Sequence, residues 1–212
     1  MKNMLFKEFR LGIHPLYLVF PVVLGALEFI PQWFFMLVPL YFCFVSVPNL
    51  FGQYRANNDI AFSTILPVTR KQIARSRIIS FSMLELLHVF WILVFAIVHN
   101  GIYPPANYGL DLNAAYFGAV FVMFGILNLI LFPIHYRTAY KYGVAAIIAI
   151  VAAVLFAAAA ETSVMFLPRV RDFMEVRQDT QWLTLTAGIL FFTAANLLAS
   201  AISTRSFVKI DL

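Results

Sequence analysis

The chain has 212 residues, 62% of them hydrophobic and 12% charged, with a mean hydropathy of +0.86. Soluble domains run at about 45–50% apolar and about 25% charged, so this composition excludes a water-soluble globule and describes a polytopic membrane protein. The net charge of +5 reads as membrane topology and not as nucleic-acid binding, and a single cysteine, Cys43, excludes an intrachain disulfide.

The apolar runs are long and continuous, not short and alternating, which selects helices over a β-barrel. Residues 1–13 come first: Leu5, Phe9 and Ile13 repeat at helical spacing, with Asn3, Lys7 and Arg10 on another face. That pattern suits a helix lying in the membrane interface, and a frayed basic tail is the plainer alternative. Crossing the roughly 30 Å hydrocarbon core takes about 20 apolar residues. Spans are expected near 14–30 and 32–52, joined by a tight turn at Pro31–Gln32, then near 77–99, 112–133, 142–167 and 181–203. One membrane domain, 1–212, accounts for the whole chain.

Between the second and third spans lies the loop 53–76. Thr69-Arg70-Lys71-Gln72 has the capping-box pattern, so a helix is expected to start at Thr69. Pro67 upstream disfavours a helical Leu66. Asn57, Asn58 or Asp59 is placed to cap a short helix carrying Ile60, Ala61, Ile65 and Leu66. Arg70, Lys71, Arg75 and Arg77 fit a basic anchor at the membrane surface. The apolar residues Ile60, Phe62 and Ile65 are not needed for that and imply an element facing a partner or lipid.

Glu85 and His88 fall within the third span at i, i+3, on one face of a helix. An intramembrane ionisable group faces the bundle interior, pairs, or lines a water path. Glu85 and His88 are therefore either structural or part of a substrate path. Glu28 and Glu161 sit near the ends of their spans and read as interfacial. In the fifth span Gly143, Ala146, Ala153, Ala157 and Ala160 form a small-residue face; in the sixth Thr193, Asn196, Ser200 and Ser203 form a polar stripe. Both suit helix packing, and Asn196 is also a candidate for a substrate route. The loop 168–180 reads as a mixed-charge connection. No three residues share metal-ligand spacing, and no catalytic motif is visible.

The positive-inside rule orients the spans. Lys2, Lys7, Arg10, Arg55, Arg70, Lys71, Arg75, Arg77, Arg137, Lys141, Arg205 and Lys209 fall on one side; Arg169, Arg171 and Arg177 fall on the other. Twelve against three puts both termini in the cytoplasm. Trp33, Tyr103, Tyr108 and Trp182 then belong to the outer interface.

The stretch Asn58-Asp59 through Phe62-Ser63-Thr64-Ile65-Leu66-Pro67-Val68-Thr69-Arg70-Lys71-Gln72-Ile73 to Ser76-Arg77 resembles the cytoplasmic loop of ABC-2 type permeases, the membrane subunits of bacterial ATP-binding-cassette exporters. Leu66-Pro67-Val68-Thr69-Arg70-Lys71 is similar to the signature of a small six-span branch that includes exporters of amphipathic peptide toxins. The resemblance implies a coupling helix, about Asn57 to Leu66, that docks on an ATPase, with Thr69, Arg70 and Lys71 following. It implies two permease copies, identical or closely related, with two ATPase copies, in the bacterial cytoplasmic membrane. No Gly-Lys pair exists in this chain for a Walker A loop. ATP and magnesium are therefore expected on a separate polypeptide, with no cofactor bound here and the chain itself not an enzyme. Two other readings stay open: a membrane-embedded regulatory or assembly protein, and a proton-coupled secondary transporter using Glu85.

Overall fold

The computed structural model describes residues 2–30, 33–104, 109–138 and 141–209. Met1, the Pro31–Gln32 turn, Tyr108 and the side chain of Ile60 lie outside the described residues. Those described form nine α-helices and no strand. They are α1 (Lys2–Lys7), α2 (Leu16–Gly25), α3 (Leu37–Ala56), α4 (Asp59–Ile65), α5 (Arg70–Ile102), α6 (Ala114–Arg137), α7 (Tyr142–Phe166), α8 (Pro168–Arg171) and α9 (Gln178–Val208).

Four of these, α5, α6, α7 and α9, are long and apolar enough to cross a membrane. A fifth crossing is reached if Asn3–Gly12 and Leu16–Phe29, bent by 72° at the break between them, count as one span. The protein is a multi-pass helical membrane protein. α3 has the length for a span, 20 residues, but Asn49, Gln53, Tyr54 and Arg55 make its last turns polar. α5, at 33 residues, is about 50 Å long, more than a bilayer core needs, so its basic first turns project beyond the apolar part.

α6 is the central helix, buried along most of its apolar length, whereas α9 leaves most of its apolar length exposed. An aromatic core of Phe42, Phe51, Phe81, Phe124 and Phe132, ring against ring, joins α3, α5 and α6. Ala146, Ala153 and Ala157 of the expected small-residue face are buried, together with Ala149, so the middle of α7 packs closely; Ala160 is half-buried and Gly143, at the start of the helix, is exposed. The closest helix crossing lies elsewhere. A Cβ on Gly118 of α6 would come within 2.4 Å of the Thr184 carbonyl oxygen, and one on Gly188 of α9 within 2.3 Å of the Gly118 carbonyl oxygen. Backbone touches backbone there, and only glycine permits it.

The ends of the bundle follow from cross-contacts. Phe51 meets His135 at 4.8 Å, Tyr136 meets Phe207 at 5.0 Å, and Arg70 reaches the last carbonyls of α9. The C-terminal ends of α3, α6 and α9 therefore gather with the start of α5, and this is the basic end. At the opposite end Glu161 accepts from the backbone N–H of Met36 at 3.2 Å and of Leu110 at 2.9 Å. It thereby ties α7 to α3 and to the chain entering α6. Gly109, with φ of +67°, passes against that carboxylate where a side chain would collide. Glu161 and Glu28, expected at an interface, are both buried. Helix-end position was a poor guide because a cap of connecting segments covers this end. Trp182 is exposed here, and Trp33 and Tyr103 are half-buried.

Candidate functional site

The loop between α3 and α5 is built by local chemistry. α3 ends at Asn57, whose N–H bonds the Gln53 carbonyl at 3.0 Å. Asn58 then adopts the left-handed conformation, φ 48° and ψ 37°, which asparagine tolerates better than most residues. Its carbonyl accepts the first bond of α4, from the Phe62 N–H at 3.0 Å, with no side-chain cap. Leu66 is extended ahead of Pro67. The capping box at Thr69 forms in full: the Gln72 N–H donates to Thr69 Oγ1 at 3.3 Å, and the Thr69 N–H to Gln72 Oε1 at 3.0 Å. The structure contains the expected helix, proline break and second helix, but the side-chain cap expected for α4 from Asn57, Asn58 or Asp59 is not made: the left-handed turn at Asn58 starts the helix through its backbone alone.

α4 has two faces. Asp59 and Ser63, at i and i+4, are buried. Phe62 is 48% exposed and Ile65 84% exposed, an apolar pair facing away from the protein. Asn57, Asn58, Pro67 and Lys71 are exposed around them. Leu66 is half-buried against the core. Arg70 donates to the carbonyls of Phe207 and Val208, each at 3.2 Å, and its guanidinium lies 5.8 Å from the Phe207 ring centre. A cation on the last carbonyls of α9 stabilises that helix end. Of the expected contact residues, the structure turns Asp59 inward and joins Arg70 to α9.

Asp59 enters a buried cluster of four charges that the sequence reading did not assemble. Its carboxylate is bonded by Lys7 of α1 and by Arg77 of α5. Glu8 lies 3.4 Å from Lys7 and 3.6 Å from Arg77. Lys7 also donates to Ser63 Oγ at 2.8 Å, and Arg77 lies over the Tyr54 ring at 3.9 Å. Burial by itself would raise the Asp59 carboxyl, but Arg77 and Lys7 hold it below its ordinary value. Lys7, expected on the polar face of an interfacial helix, points into the protein, while Phe6 and Leu11 face out.

The second candidate region is the membrane interior. Asn128 of α6 donates to Glu85 Oε2 at 2.6 Å and to Asn196 Oδ1 of α9 at 3.2 Å. Ser82 of α5 donates to the same Asn196 oxygen at 2.9 Å. One polar network thus crosses three helices. His88 is not joined to it by any hydrogen bond seen among the described residues; it stacks on Phe42 at 4.8 Å. Asn128 was missed, although a lone amide in the middle of the apolar run 112–133 is itself a signal of an interior site. Between α5 and α9 a groove of about 540 Å³ runs along Arg75, Ile78, Ser82, Met83, Asn196 and Ser200. Asn196 and Ser82 line it; Glu85 and Asn128, fully buried, stand behind them.

The two-faced helix α4 thus sits at the basic end of a bundle that carries an interior polar network. A family model described as ABC-2 family transporter protein matches residues 3–208. The chain belongs to the ABC-2 transporter family. No curated protein and no solved structure matches it. An ABC-2 permease is the membrane component of a transporter and not itself an enzyme, so membership implies association with an ABC ATPase. The matched range includes α1 from Asn3 onward and the whole of α4 and α9.

Proposed function

We propose that this chain is the permease subunit of an ATP-driven exporter in a bacterial cytoplasmic membrane. A separate ATPase binds ATP and magnesium and docks on α4. The observation that carries the reading is the outward apolar face of α4: Ile65 is 84% exposed and Phe62 48%, at the basic end, on a helix pinned from behind by Asp59 and Ser63. An exposed apolar pair rimmed by polar groups marks a protein contact. Here Asn57, Asn58, Pro67 and Lys71 supply that rim.

In this reading Leu16–Phe29 and α3 are the first two crossings and α5, α6, α7 and α9 the other four. Both termini are cytoplasmic. Two copies of the permease form the path, and the apolar outer faces of α7 and α9 meet lipid. The cargo is hydrophobic or amphipathic, and the groove beside Asn196, backed by Glu85, is its route, with His88 deeper along the same face of α5. Co-expression with a candidate ATPase tests the docking. The wild type is expected to co-purify with it and stimulate ATP turnover, and Phe62→Asp/Ile65→Asp to lose both. A complex indifferent to those changes would favour a membrane-embedded regulatory or assembly protein.

A further inference from the structure

Four charged side chains at the base of the bundle are almost wholly removed from water: Lys7 is 8% exposed, Glu8 0%, Asp59 8% and Arg77 1%. Two are cations and two are anions, so the cluster is balanced. Breaking a buried pair by removing one partner is strongly destabilising because the other charge stays behind, so such a set holds its elements in one arrangement. The elements are α1, α4 and α5.

Lys7 is the link to α4. Its ammonium bonds Asp59, donates to Ser63 at 2.8 Å and lies 5.9 Å from the Phe62 ring centre. Asp59 and Ser63 lie on the side of α4 away from Ile65, and the ring of Phe62, at the edge of the outward face, flanks the ammonium. Glu8, next in the chain, closes the set on Arg77. Gly12 continues the fit: a Cβ there would stand 3.0 Å from the Tyr54 ring and 3.2 Å from the Glu8 carboxylate. α1 and the π-helical turn that follows it, Glu8–Gly12, therefore turn the pair Lys7 and Glu8 into protein and not toward the membrane surface.

We infer that α1 is the seat of the coupling helix: Lys7 is a positioning residue that holds α4 in its docking pose, and Glu8 and Arg77 tie that pose to the first span and to α5. This rests on the docking reading above. Displacement of α4 by the ATPase is then passed to the first crossing through α1 as well as to α5 through Asp59–Arg77.

The test uses the full-length permease in nanodiscs, alone and with its ATPase. Lys7→Met leaves a buried net charge. Lys7→Met/Glu8→Gln leaves Asp59–Arg77 as a balanced pair, so the double variant is expected to keep its fold while cutting α1 from α4. Without ATPase, amide exchange over 59–65 is expected to quicken about tenfold or more in the double variant, with α6 unchanged. With ATPase, permease-stimulated turnover is expected to fall about fivefold or more at saturating ATPase, and Lys7→Arg to keep both signals near wild type. Unchanged exchange over 59–65 overturns the inference. So does quickened exchange with wild-type turnover, since α4 would then not need its seat. A wild-type permease that captures no ATPase overturns the docking reading instead, and the exchange result still decides whether Lys7 seats α4.

Discussion

Asp59 is the residue on which the base of the molecule turns. Asp59→Asn would leave the Arg77 and Lys7 cations facing Glu8 alone. The expected cost is about 3–5 kcal/mol, read as a lower midpoint of thermal unfolding in detergent. Because its carboxyl is held below the ordinary 3.8, the ionised form stabilises the fold at all pH values above that. The contribution is lost only as pH falls through the lower, folded value. Acidification to about pH 5 is therefore expected to leave α4 in place, as monitored by amide exchange over 59–65. Glu175, at the opposite end, behaves the other way. Burial first, and the Asp111 charge second, push its carboxyl from 4.5 to about 8. It stays protonated in the folded protein while the unfolded chain ionises, so the stability of the cap falls as pH rises from 4.5 toward 8. Glu175→Gln is expected to flatten that dependence in thermal unfolding measured between about pH 5 and pH 8.5. In the membrane interior, Glu85→Gln is expected to slow cargo export while ATPase capture is unchanged. Unaltered export would make Glu85 a structural partner of Asn128 and nothing more.

At the scale of elements, the α6–α9 crossing sets the packing of the bundle. Gly188→Leu would drive a side chain into the Gly118 backbone, and a destabilisation of at least about 1–3 kcal/mol is expected from overpacking alone, with the two helices forced apart. The loop elements were legible in the sequence because their determinants are local. Thr69 and Gln72 are three residues apart, Pro67 acts on its own neighbour, and the α4 helix is announced within a few positions. The charge cluster was not legible for the converse reason. Lys7 and Asp59 are 52 positions apart, and Asp59 and Arg77 are 18 apart across a helix break. Periodicity in α1 identifies a two-faced helix but not which face meets protein, so Lys7 read as a surface charge. Arg70 was likewise read as an anchor or docking residue, since nothing near it in sequence names the carbonyls of Phe207 and Val208.

For the whole molecule, composition alone fixed the solvent: a chain 62% hydrophobic belongs in a bilayer, and the structure is helical throughout its described residues apart from short connections. The four helices long and apolar enough to cross, α5, α6, α7 and α9, were readable because apolar run length is a physical requirement. The two spans expected first were less so, since Leu16–Phe29 is set off by a 72° bend from the segment before it and α3 ends in polar turns. The interior network was half visible: Glu85 and Asn196 stood out as polar groups at membrane depth, while the partner joining them, Asn128, shows its role only when α6 lies between α5 and α9. In the proposed transporter, the α4 face is where this bundle meets its energy source. The most direct measurement is the ATP turnover of the purified ATPase titrated with the permease, wild type against Phe62→Asp/Ile65→Asp. Saturable stimulation by the wild type, lost in the variant while its thermal stability is unchanged, is the predicted result. Equal stimulation by both would contradict docking at α4.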